Sequence, residues 1–361
     1  MLKKILLIPL ALLVAALFCF ALSLVAPTEI TVPFLICLTA ILLFPLPLLP
    51  IATTMPHGKV RNHIHRLGEA VIGPYLYFLI FVVLDAALLL FSHFSGLFEI
   101  NLPVLFASSL GYWGVVLLIG AKNARRIKTV RHEIRFGKNP EKKVRAVLIS
   151  DLHLGYFSSL SFIGRMVQAI NDAAPSYLFI AGDLFDSDYV EVKKKEETLA
   201  LLKQIKAPEG KFMCMGNHDL YAKGHPDFRK FLDEAEFTLL HDSSLSLEHF
   251  ELVGRSDVKE KNRADLSALM PQSPRPKIVL CHNPKDAKRI VNAGGDLVLC
   301  GHTHNGQTFP GNLASKIKSK YSYGLNRYKN AFVLTTAGVG YWGPPLRVFT
   351  NNEIVILDLY F

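Results

Sequence analysis

Five short apolar segments in the second half of the chain each end in side chains that could bind a metal ion. The segments read VLISDLH, LFIAGDLFD, FMCMGNHD, IVLCH and LVLCGHTH. Carboxylate oxygens and neutral imidazoles together suit Mn, Fe or Zn, and this chemistry does not require thiolates. The sequence therefore predicts a divalent-metal site. Its candidate ligands are Asp151, His153, Asp183, Asn217, His282, His302 and His304.

The carboxylate of Asp183 is the candidate for a bridge between two metals. A carboxylate with two oxygens can bridge cations about 3.5–4 Å apart, which is the spacing that stabilises both the attacking and the leaving oxygen in phosphoryl hydrolysis. A single His at the end of a strand is more often an ordinary core or surface residue. GNHD alone is also compatible with a turn. The ordered occurrence of five such motifs favours the metal site.

Alternating strand and helix patterns would position these side chains. Beta-rich apolar segments predict strands at 146–150, 177–181, 211–215, 277–281, 297–300, 331–335 and 353–360. Amphipathic patterns predict helices at 158–174, 191–206, 226–234 and 284–292. Open α/β sheets bind ligands at the carboxyl ends of their strands. We therefore expect the five motifs to meet at one sheet edge.

The ordered set DLH, GDLFD, GNHD, a lone His282 and GHTH resembles the calcineurin-like metallophosphoesterase superfamily over residues 146–361. The resemblance implies an α/β fold: a four-layer sandwich of two mixed β-sheets flanked by helices. It also implies two divalent metal ions as cofactors, with Mn²⁺ expected first and Fe or Zn as alternatives. By similarity, one metal is held by Asp151, His153, Asp183 and His304, and the other by Asp183, Asn217, His282 and His302.

The resemblance further implies catalytic roles for His218 and Asp186. His218 would contact the phosphate and protonate the leaving oxygen, and Asp186 would hold it as in a His–carboxylate pair. The segments GHTHNGQ, YSYGLNRY and PPLR look like those of bacterial membrane-anchored phosphoesterases. In that branch Asn305 replaces a Gly, and Asn326 departs from the tyrosine pattern. Both positions lie beside the site, so these departures concern the substrate and not the metals.

The resemblance predicts an enzyme that hydrolyses a phosphodiester or pyrophosphate with metal-activated water. Some relatives cleave a UDP-linked diacylated sugar, so a lipid-linked substrate such as UDP-2,3-diacylglucosamine is one candidate. A soluble nucleotide is the alternative within the same class. A metal-binding scaffold without turnover is the alternative from another class. A scaffold would be expected to lack a ligand or the general acid, and this sequence retains them all.

The N-terminal third is apolar and predicts a membrane region at 1–121. Four segments approach the about 20 residues that a bilayer requires: 5–25, 30–51, 70–91 and 102–121. A cleaved signal peptide is the competing interpretation of the first segment, but that segment exceeds the usual apolar length of about 7–15 residues. The basic residues 122–145 predict an irregular juxtamembrane linker or a helix on the lipid surface. The hydrolase domain is expected at 146–361.

The charge of the chain favours a membrane surface over nucleic acid. Of the formal net charge of +10, many Lys and Arg lie beside the apolar segments, where they would face anionic headgroups. Lys and Arg occur before the first segment, between the second and third, and after the fourth. The positive-inside rule then predicts a multi-pass protein of the bacterial inner membrane with a cytoplasmic catalytic domain.

Cys214, Cys281 and Cys300 lie in or beside apolar segments and suggest buried thiols in a reducing compartment.

Two basic features near the C-terminus remain open from the sequence. The segment 316–329 combines Lys, Arg and Tyr, and it suits either a clamp for an anionic substrate or a solvated loop. Arg347 precedes the last predicted strand and suits either phosphate binding or a structural role.

Overall fold

The computed structural model describes residues 7–27, 31–32, 36, 38–39, 41, 43–44, 47–55, 58–187 and 189–361. The chain divides into two compact units, Met1–Ile119 and Gly120–Phe361.

Helices make up the described part of the first unit. They are α1 (Leu7–Ser23), α2 (Leu48–Thr54), α3 (Lys59–Ser95) and α4 (Leu102–Arg125), the last of which continues into the second unit. Within the described residues, two helices are long and apolar enough to cross a membrane, over Val60–Ser95 and Leu102–Arg125. They contain the third and fourth predicted spans. The first predicted span corresponds to α1, which has 17 residues. The second lies partly outside the described residues, and its last residues belong to α2.

The second unit contains two six-stranded sheets. The first sheet has the strand order β1-β12-β2-β3-β4-β5. Its strands are β1 (Ile127–Arg135), β2 (Lys143–Ile149), β3 (Tyr177–Ala181), β4 (Gly210–Cys214), β5 (Thr238–Leu239) and β12 (Asn352–Tyr360). Strand β12 is antiparallel to β2, whereas β2, β3, β4 and β5 are mutually parallel. The sheet is therefore mixed, as expected.

The second sheet is also mixed and has the order β10-β11-β9-β8-β7-β6. Its strands are β6 (Ser243–Ser246), β7 (Glu251–Arg255), β8 (Lys277–Cys281), β9 (Leu297–Cys300), β10 (Gly324–Tyr328) and β11 (Ala331–Thr335). The central strands β7, β8, β9 and β11 run parallel, and an antiparallel strand closes each edge.

Helices cover the outer faces of the sheets. The helices of this unit are α5 (Leu160–Asp172), α6 (Lys195–Leu202), α7 (Asp219–Ala222), α8 (Asp227–Glu234), α9 (Leu266–Leu269), α10 (Ala287–Asn292) and α11 (Gly311–Lys318). One apolar cluster joins the two sheets and includes Phe179 and Leu280. A second cluster packs α5 and α8 on the first sheet, and a third packs α9 and α10 on the second. The predicted four-layer α/β sandwich is confirmed.

The prediction of an irregular linker at 122–145 is wrong for the residues that form β1. Residues Ile127–Arg135 pair in parallel with β12 at the edge of the first sheet. The buried Ile134 alternates with exposed basic residues along this strand. Charged side chains are common on edge strands, where they discourage pairing with other chains. The basic residues that suggested a linker therefore belong to the exposed face of an edge strand.

The parallel strands bring the five motifs to one edge of the sandwich. Asp151, Asp183 and Asn217 follow β2, β3 and β4 of the first sheet. His282 and His302 follow β8 and β9 of the second. Because parallel strands share one polarity, their carboxyl ends lie at the same edge, and each sheet contributes part of the site.

Candidate metal centre

The first group of potential metal ligands comprises Asp151, His153 and His304. One ligand atom from each lies within 4.8 Å of the others, and all three residues are buried. The two imidazoles face each other, with 3.2 Å between His153 Nε2 and His304 Nε2. Asp151 Oδ1 lies 3.3 Å from His304 Nε2. Two imidazole nitrogens and a carboxylate oxygen converging in a buried space form a suitable set of donors for a divalent cation.

The second group comprises Asp183, His282 and His302. Asp183 Oδ2 lies 3.0 Å from His282 Nε2, and His282 Nε2 lies 3.3 Å from His302 Nδ1. Asp183 Oδ2 is also 4.0 Å from His153 Nε2 in the first group. The Asp183 carboxylate therefore lies between the two groups, as a bridging ligand would.

Asn217 has the environment expected of a metal ligand. The residue is 3% exposed, and its Oδ1 atom has no hydrogen-bond partner among the described residues. Burying an amide oxygen without a partner costs about 1–3 kcal/mol. A cation beside Asn217 would remove that cost.

The backbone around these ligands is held in an unusual conformation. Asp151, His153, Asp183, His302 and His304 have φ between 50° and 73°, in the left-handed region. Residues with side chains adopt this region at a cost of about 1–3 kcal/mol, and such positions cluster at functional sites. The strain indicates that the fold holds these five side chains in place for a purpose other than stability.

Close backbone approach is required beside the candidate bridge. A Cβ atom at Gly216 would overlap Asp183 Oδ1 and would lie 2.5 Å from the Asp183 backbone nitrogen. The glycine of the GNHD motif, Gly216, therefore leaves room for the Asp183 carboxylate. The lack of space for a side chain explains why this position of the motif is glycine.

The imidazoles of His282 and His153 are oriented by second partners. His282 Nδ1 lies 2.7 Å from the Ala181 carbonyl oxygen, to which it donates when it carries the proton. This tautomer leaves Nε2 free to bind a cation. His153 Nδ1 lies 3.1 Å from Asp186 Oδ1, so the Asp186 carboxylate occupies the equivalent position behind His153.

The position of Asp186 differs from the expected pair with His218. The Asp186 carboxylate is 4.0 Å from His218 Nδ1, compared with 3.1 Å from His153 Nδ1. His218 Nδ1 instead contacts the backbone carbonyl of Asp186. Asp186 thus holds both imidazoles, one through its side chain and the other through its main chain. The sequence could not separate these two contacts because both come from one residue.

Asp219 is a supporting residue whose role the sequence did not reveal. Its carboxylate accepts hydrogen bonds from the backbone nitrogens of Asp183 and Gly216, both at 2.8 Å, and from Phe185 at 3.0 Å. The side chain is fully buried. Asp219 therefore fixes the GDLFD and GNHD loops to each other. Its place within the GNHD motif was the one available signal.

The guanidinium of Arg347 has structural contacts. It is fully buried, and its two terminal nitrogens donate to four backbone carbonyls at 2.6–3.1 Å. These carbonyls belong to His304, Ala337, Gly340 and Asn351. The guanidinium thus holds the GHTH loop against the segment that leads into β12.

Burial keeps the two imidazoles of the GHTH motif neutral, because it lowers the pKa of each. Burial lowers the pKa of His302 to about 4, helped by the neighbouring His282. Burial also lowers the pKa of His304 well below its usual value, with His153 and Arg347 acting in the same direction. For His282, burial alone would lower the pKa, but the Asp183 carboxylate raises it well above the usual value. Neutral imidazole is the form that binds metal, so His302 and His304 are ready to do so at neutral pH.

The residues present fit two divalent cations. Carboxylate, amide and imidazole donors converge in two groups, and the orphaned oxygen of Asn217 points to a missing partner. The thiols of Cys214, Cys281 and Cys300 are buried at the ends of β4, β8 and β9. Burial raises the pKa of Cys214 and Cys300 well above the usual value. Cys214 and Cys300 therefore remain protonated thiols, which do not bind metal.

Comparison with known proteins agrees with this centre. The calcineurin-like phosphoesterase family matches residues 144–306. Phosphodiesterase YaeI of Escherichia coli K12 is 30% identical over 244 residues, which cover 64% of this chain and 87% of that protein. The chain belongs to the calcineurin-like phosphoesterase family.

Two further relatives of this calcineurin-like phosphoesterase extend the comparison. A metallophosphoesterase of Helicobacter pylori strain J99 is 32% identical over 227 residues, which is 61% of this chain and 60% of that protein. A transmembrane protein with a metallophosphoesterase domain from Danio rerio is 31% identical over 266 residues, covering 68% of this chain and 60% of the relative. The match therefore spans about three fifths of the length of these two relatives.

Proposed function

We propose that the chain is a membrane-associated phosphoesterase that hydrolyses a phosphodiester or pyrophosphate bond at a two-metal centre. The observation that carries the proposal is the position of the Asp183 carboxylate between two groups of imidazole and carboxylate ligands. In this proposal one metal is held by Asp151, His153, Asp183 and His304, and the other by Asp183, Asn217, His282 and His302.

Two divalent cations would supply charge stabilisation for the phosphoryl oxygens and a water of lowered pKa. The mixture of oxygen and imidazole donors suits Mn²⁺ first, with Fe or Zn as alternatives. The protein residues provide orientation. Asp186 and the Ala181 carbonyl fix the His153 and His282 rings, and Asp219 fixes the loops that carry Asp183 and Asn217.

His218 is the proposed general acid toward the leaving oxygen. Its ring lies 4.8 Å from the His153 ring, centroid to centroid, and its side chain is 21% exposed. The ring therefore borders the metal ligands and remains accessible to a substrate. Burial lowers the pKa of His218, which makes its protonated form a stronger acid.

Exposed aromatic side chains flank His218 and suggest the substrate class. Tyr221 and Trp342 lie with ring centroids 6.1 Å and 6.5 Å from that of His218, and they are 62% and 55% exposed. Such rings suit a substrate that carries a base, a sugar or an apolar chain beside its phosphate. Together with the apolar helices, they favour a lipid-linked phosphoester or pyrophosphate such as UDP-2,3-diacylglucosamine over a soluble nucleotide.

Turnover is tested with the full chain in detergent, loaded with Mn²⁺, against phosphodiesters, nucleotides and lipid-linked pyrophosphates. Asp183→Asn, which retains size but loses the bridging charge, is the matched control. Hydrolysis of at least one substrate class that requires Asp183 is expected. Two bound metals without turnover on any substrate would favour the non-catalytic scaffold instead.

The proposed topology places the catalytic unit in the cytoplasm of a multi-pass inner-membrane protein. It rests on the Lys and Arg residues that surround alternate apolar segments. A reporter fused after Lys122 is expected to be active on the cytoplasmic side. A periplasmic signal at that position would exclude a cytoplasmic substrate, while the metal centre itself would be unaffected.

A further inference from the structure

Exposed apolar and basic side chains follow the GHTH motif of the metal centre along the chain. The apolar side chains are those of Phe309, Leu313, Ile317 and Phe349, which are 38%, 48%, 88% and 75% exposed. We call these four residues, with the exposed Lys316, Lys318 and Lys320, the aromatic–lysine face. Every residue of α11, which carries much of this face, is at least partly exposed.

The apolar side chains form two pairs on segments that are close in the sequence. Leu313 and Ile317 are four residues apart on α11 and therefore share one side of that helix. The rings of Phe309 and Phe349 pack edge to face with centroids 5.7 Å apart. The Phe309 backbone nitrogen donates to the Val348 carbonyl at 3.1 Å, so the two segments are tied together. Exposed apolar groups that cluster in this way mark an interaction site.

The charge of this region has one sign. From Leu297 to Asn352 the sequence contains no Asp or Glu, and it contains six Lys or Arg: Lys316, Lys318, Lys320, Arg327, Lys329 and Arg347. Lysine is depleted in protein–protein interfaces, because its flexible, strongly hydrated side chain opposes burial. A surface that combines apolar groups with lysines suits the interface of an anionic bilayer.

The face also adjoins the helix that could enter the membrane. The Arg347 backbone nitrogen donates to the Gly120 carbonyl of α4 at 3.0 Å. A Cβ atom at Gly120 would lie 2.6 Å from Leu346 and 2.9 Å from Val348. Phe349, the most exposed aromatic residue of the face, follows directly. The part of α4 that belongs to the catalytic unit therefore packs against the segment that presents Phe349.

We propose that the aromatic–lysine face binds the surface of an anionic lipid bilayer. The four apolar side chains would enter the interface between headgroups and acyl chains, and the three lysines would contact lipid phosphates. Because α11 begins five residues after the turn His304–Gly306, docking would hold the metal centre beside the headgroups. Lipid contact is measured without substrate, so the proposal stands apart from the proposed hydrolysis.

The test uses the full chain in lipid nanodiscs with an environment-sensitive fluorophore attached at Ile317→Cys. Cys19 and Cys37 are replaced by Ala in this background, and Cys214, Cys281 and Cys300 are buried. The matched control carries the fluorophore at Leu245→Cys, which is exposed on β6 at the edge of the second sheet opposite β10. Nanodiscs contain phosphatidylcholine alone or mixed with phosphatidylglycerol, with or without a spin-labelled quencher lipid.

Quenching at position 317 in anionic nanodiscs, with little at position 245, is the expected result. Each lysine near an anionic surface contributes about a fivefold factor in binding. Replacing Lys316, Lys318 and Lys320 with Glu should therefore lower the docked-to-undocked ratio by about 10²-fold or more. The charge-matched control replaces Lys203, Lys206 and Lys230 with Glu and should retain quenching. Unchanged thermal melting and metal content would show that each variant is folded.

Other outcomes would overturn the proposal. The fluorophore at position 317 could remain in a water-like environment with both lipid compositions. Alternatively, its quenching could be the same with both lipid compositions, and the same in the Lys variant as in its control. A change that appears only in nanodiscs with two copies of the chain would instead identify a surface for self-association.

Discussion

The buried guanidinium of Arg347 lies directly behind His304. Arg347 Nη1 donates to the His304 carbonyl at 3.1 Å, and Arg347 Nη2 lies 3.2 Å from His304 Nδ1. The same segment binds the end of α4 through the Arg347 backbone nitrogen and through Asn123 Nδ2, which donates to the Arg347 carbonyl at 3.2 Å. One residue thus joins a candidate metal ligand to the helix that leads out of the catalytic unit.

Replacing Arg347 with Met should weaken the first metal position. Four backbone carbonyls would lose their donor, at a cost of about 1–3 kcal/mol for each that stays buried, and His304 would lose its support. Loss of an outer partner of a ligand typically lowers metal affinity by about 10–100-fold. Titration of the metal-free variant with Mn²⁺ measures the effect. Arg347→Lys, which keeps the charge but not the four bonds, should be intermediate; unchanged affinity in both variants would contradict this role.

His218→Ala should separate catalysis from metal binding. Loss of a general acid typically lowers turnover by about 10²–10⁴-fold, while two metals per chain should remain because His218 is not among the proposed ligands. Metal analysis and steady-state kinetics on the same preparation measure both. The defect should shrink with an ester whose leaving group has a low pKa, since that group needs little protonation. Loss of metal together with activity would refute the assignment.

Asp186→Asn should act through His153 and not through leaving-group protonation. The carboxylate lies behind His153 Nδ1, whereas His218 contacts the Asp186 main chain, which the substitution retains. We expect metal affinity to fall by about 10–100-fold. The dependence of rate on leaving-group pKa should stay as in the unmodified protein once metal is saturating. If that dependence changed as it does in His218→Ala, the carboxylate would have to act on His218.

Gly216→Ala should displace Asp183, whereas Gly224→Ala should be tolerated. A Cβ atom at Gly216 would overlap the Asp183 carboxylate, while one at Gly224 meets nothing within 4 Å. The first change should cost about 1–3 kcal/mol of stability and also reduce metal content. The second should stay within about 0.5 kcal/mol. Thermal melting and metal analysis of the two variants provide the comparison, and equal behaviour would contradict the close packing.

Metal binding should release protons at neutral pH. In the metal-free protein, burial alone would lower the pKa values of His282 and His153, but Asp183 and Asp186, respectively, raise them. A His whose pKa is raised on folding stabilises the protein fully below the unfolded value of about 6.5 and loses this contribution as pH rises through the folded value. The metal-free protein should therefore lose stability as pH rises above about 6.5.

The metal-bound protein should show the opposite trend. A metal would displace the extra proton from the imidazoles of His153 and His282, so apparent affinity should rise with pH in the same range. Calorimetric titration at pH 7 in buffers of different ionisation enthalpy counts the released protons. Thermal melting across pH, with and without Mn²⁺, measures the two opposite slopes. Parallel slopes would show that the ligating imidazoles are already neutral in the metal-free protein.

The sequence by itself determined the strands that carry the site. Predicted strands at 177–181, 277–281, 297–300 and 331–335 coincide with β3, β8, β9 and β11, because buried strands read as continuous apolar segments that end abruptly in polar motifs. The candidate ligands followed from those motifs. Strands β1, β5, β6, β7 and β10 were missed. The edge strands β1, β6 and β10 carry polar and charged residues and lack that signal. Strand β5 has only two residues, and β7 is buried but has a charged residue at each end, Glu251 and Arg255, which leaves a very short apolar segment.

Only the tertiary structure decided how residues distant in the sequence meet. It placed the Asp186 carboxylate behind His153, 33 residues away, and the Arg347 guanidinium behind His304, 43 residues away. Linear sequence encodes which residues follow a strand, through local periodicity and turn propensity. It does not encode which buried donor meets which acceptor. That pairing depends on how the two sheets and their loops pack, where each buried polar group must find a partner.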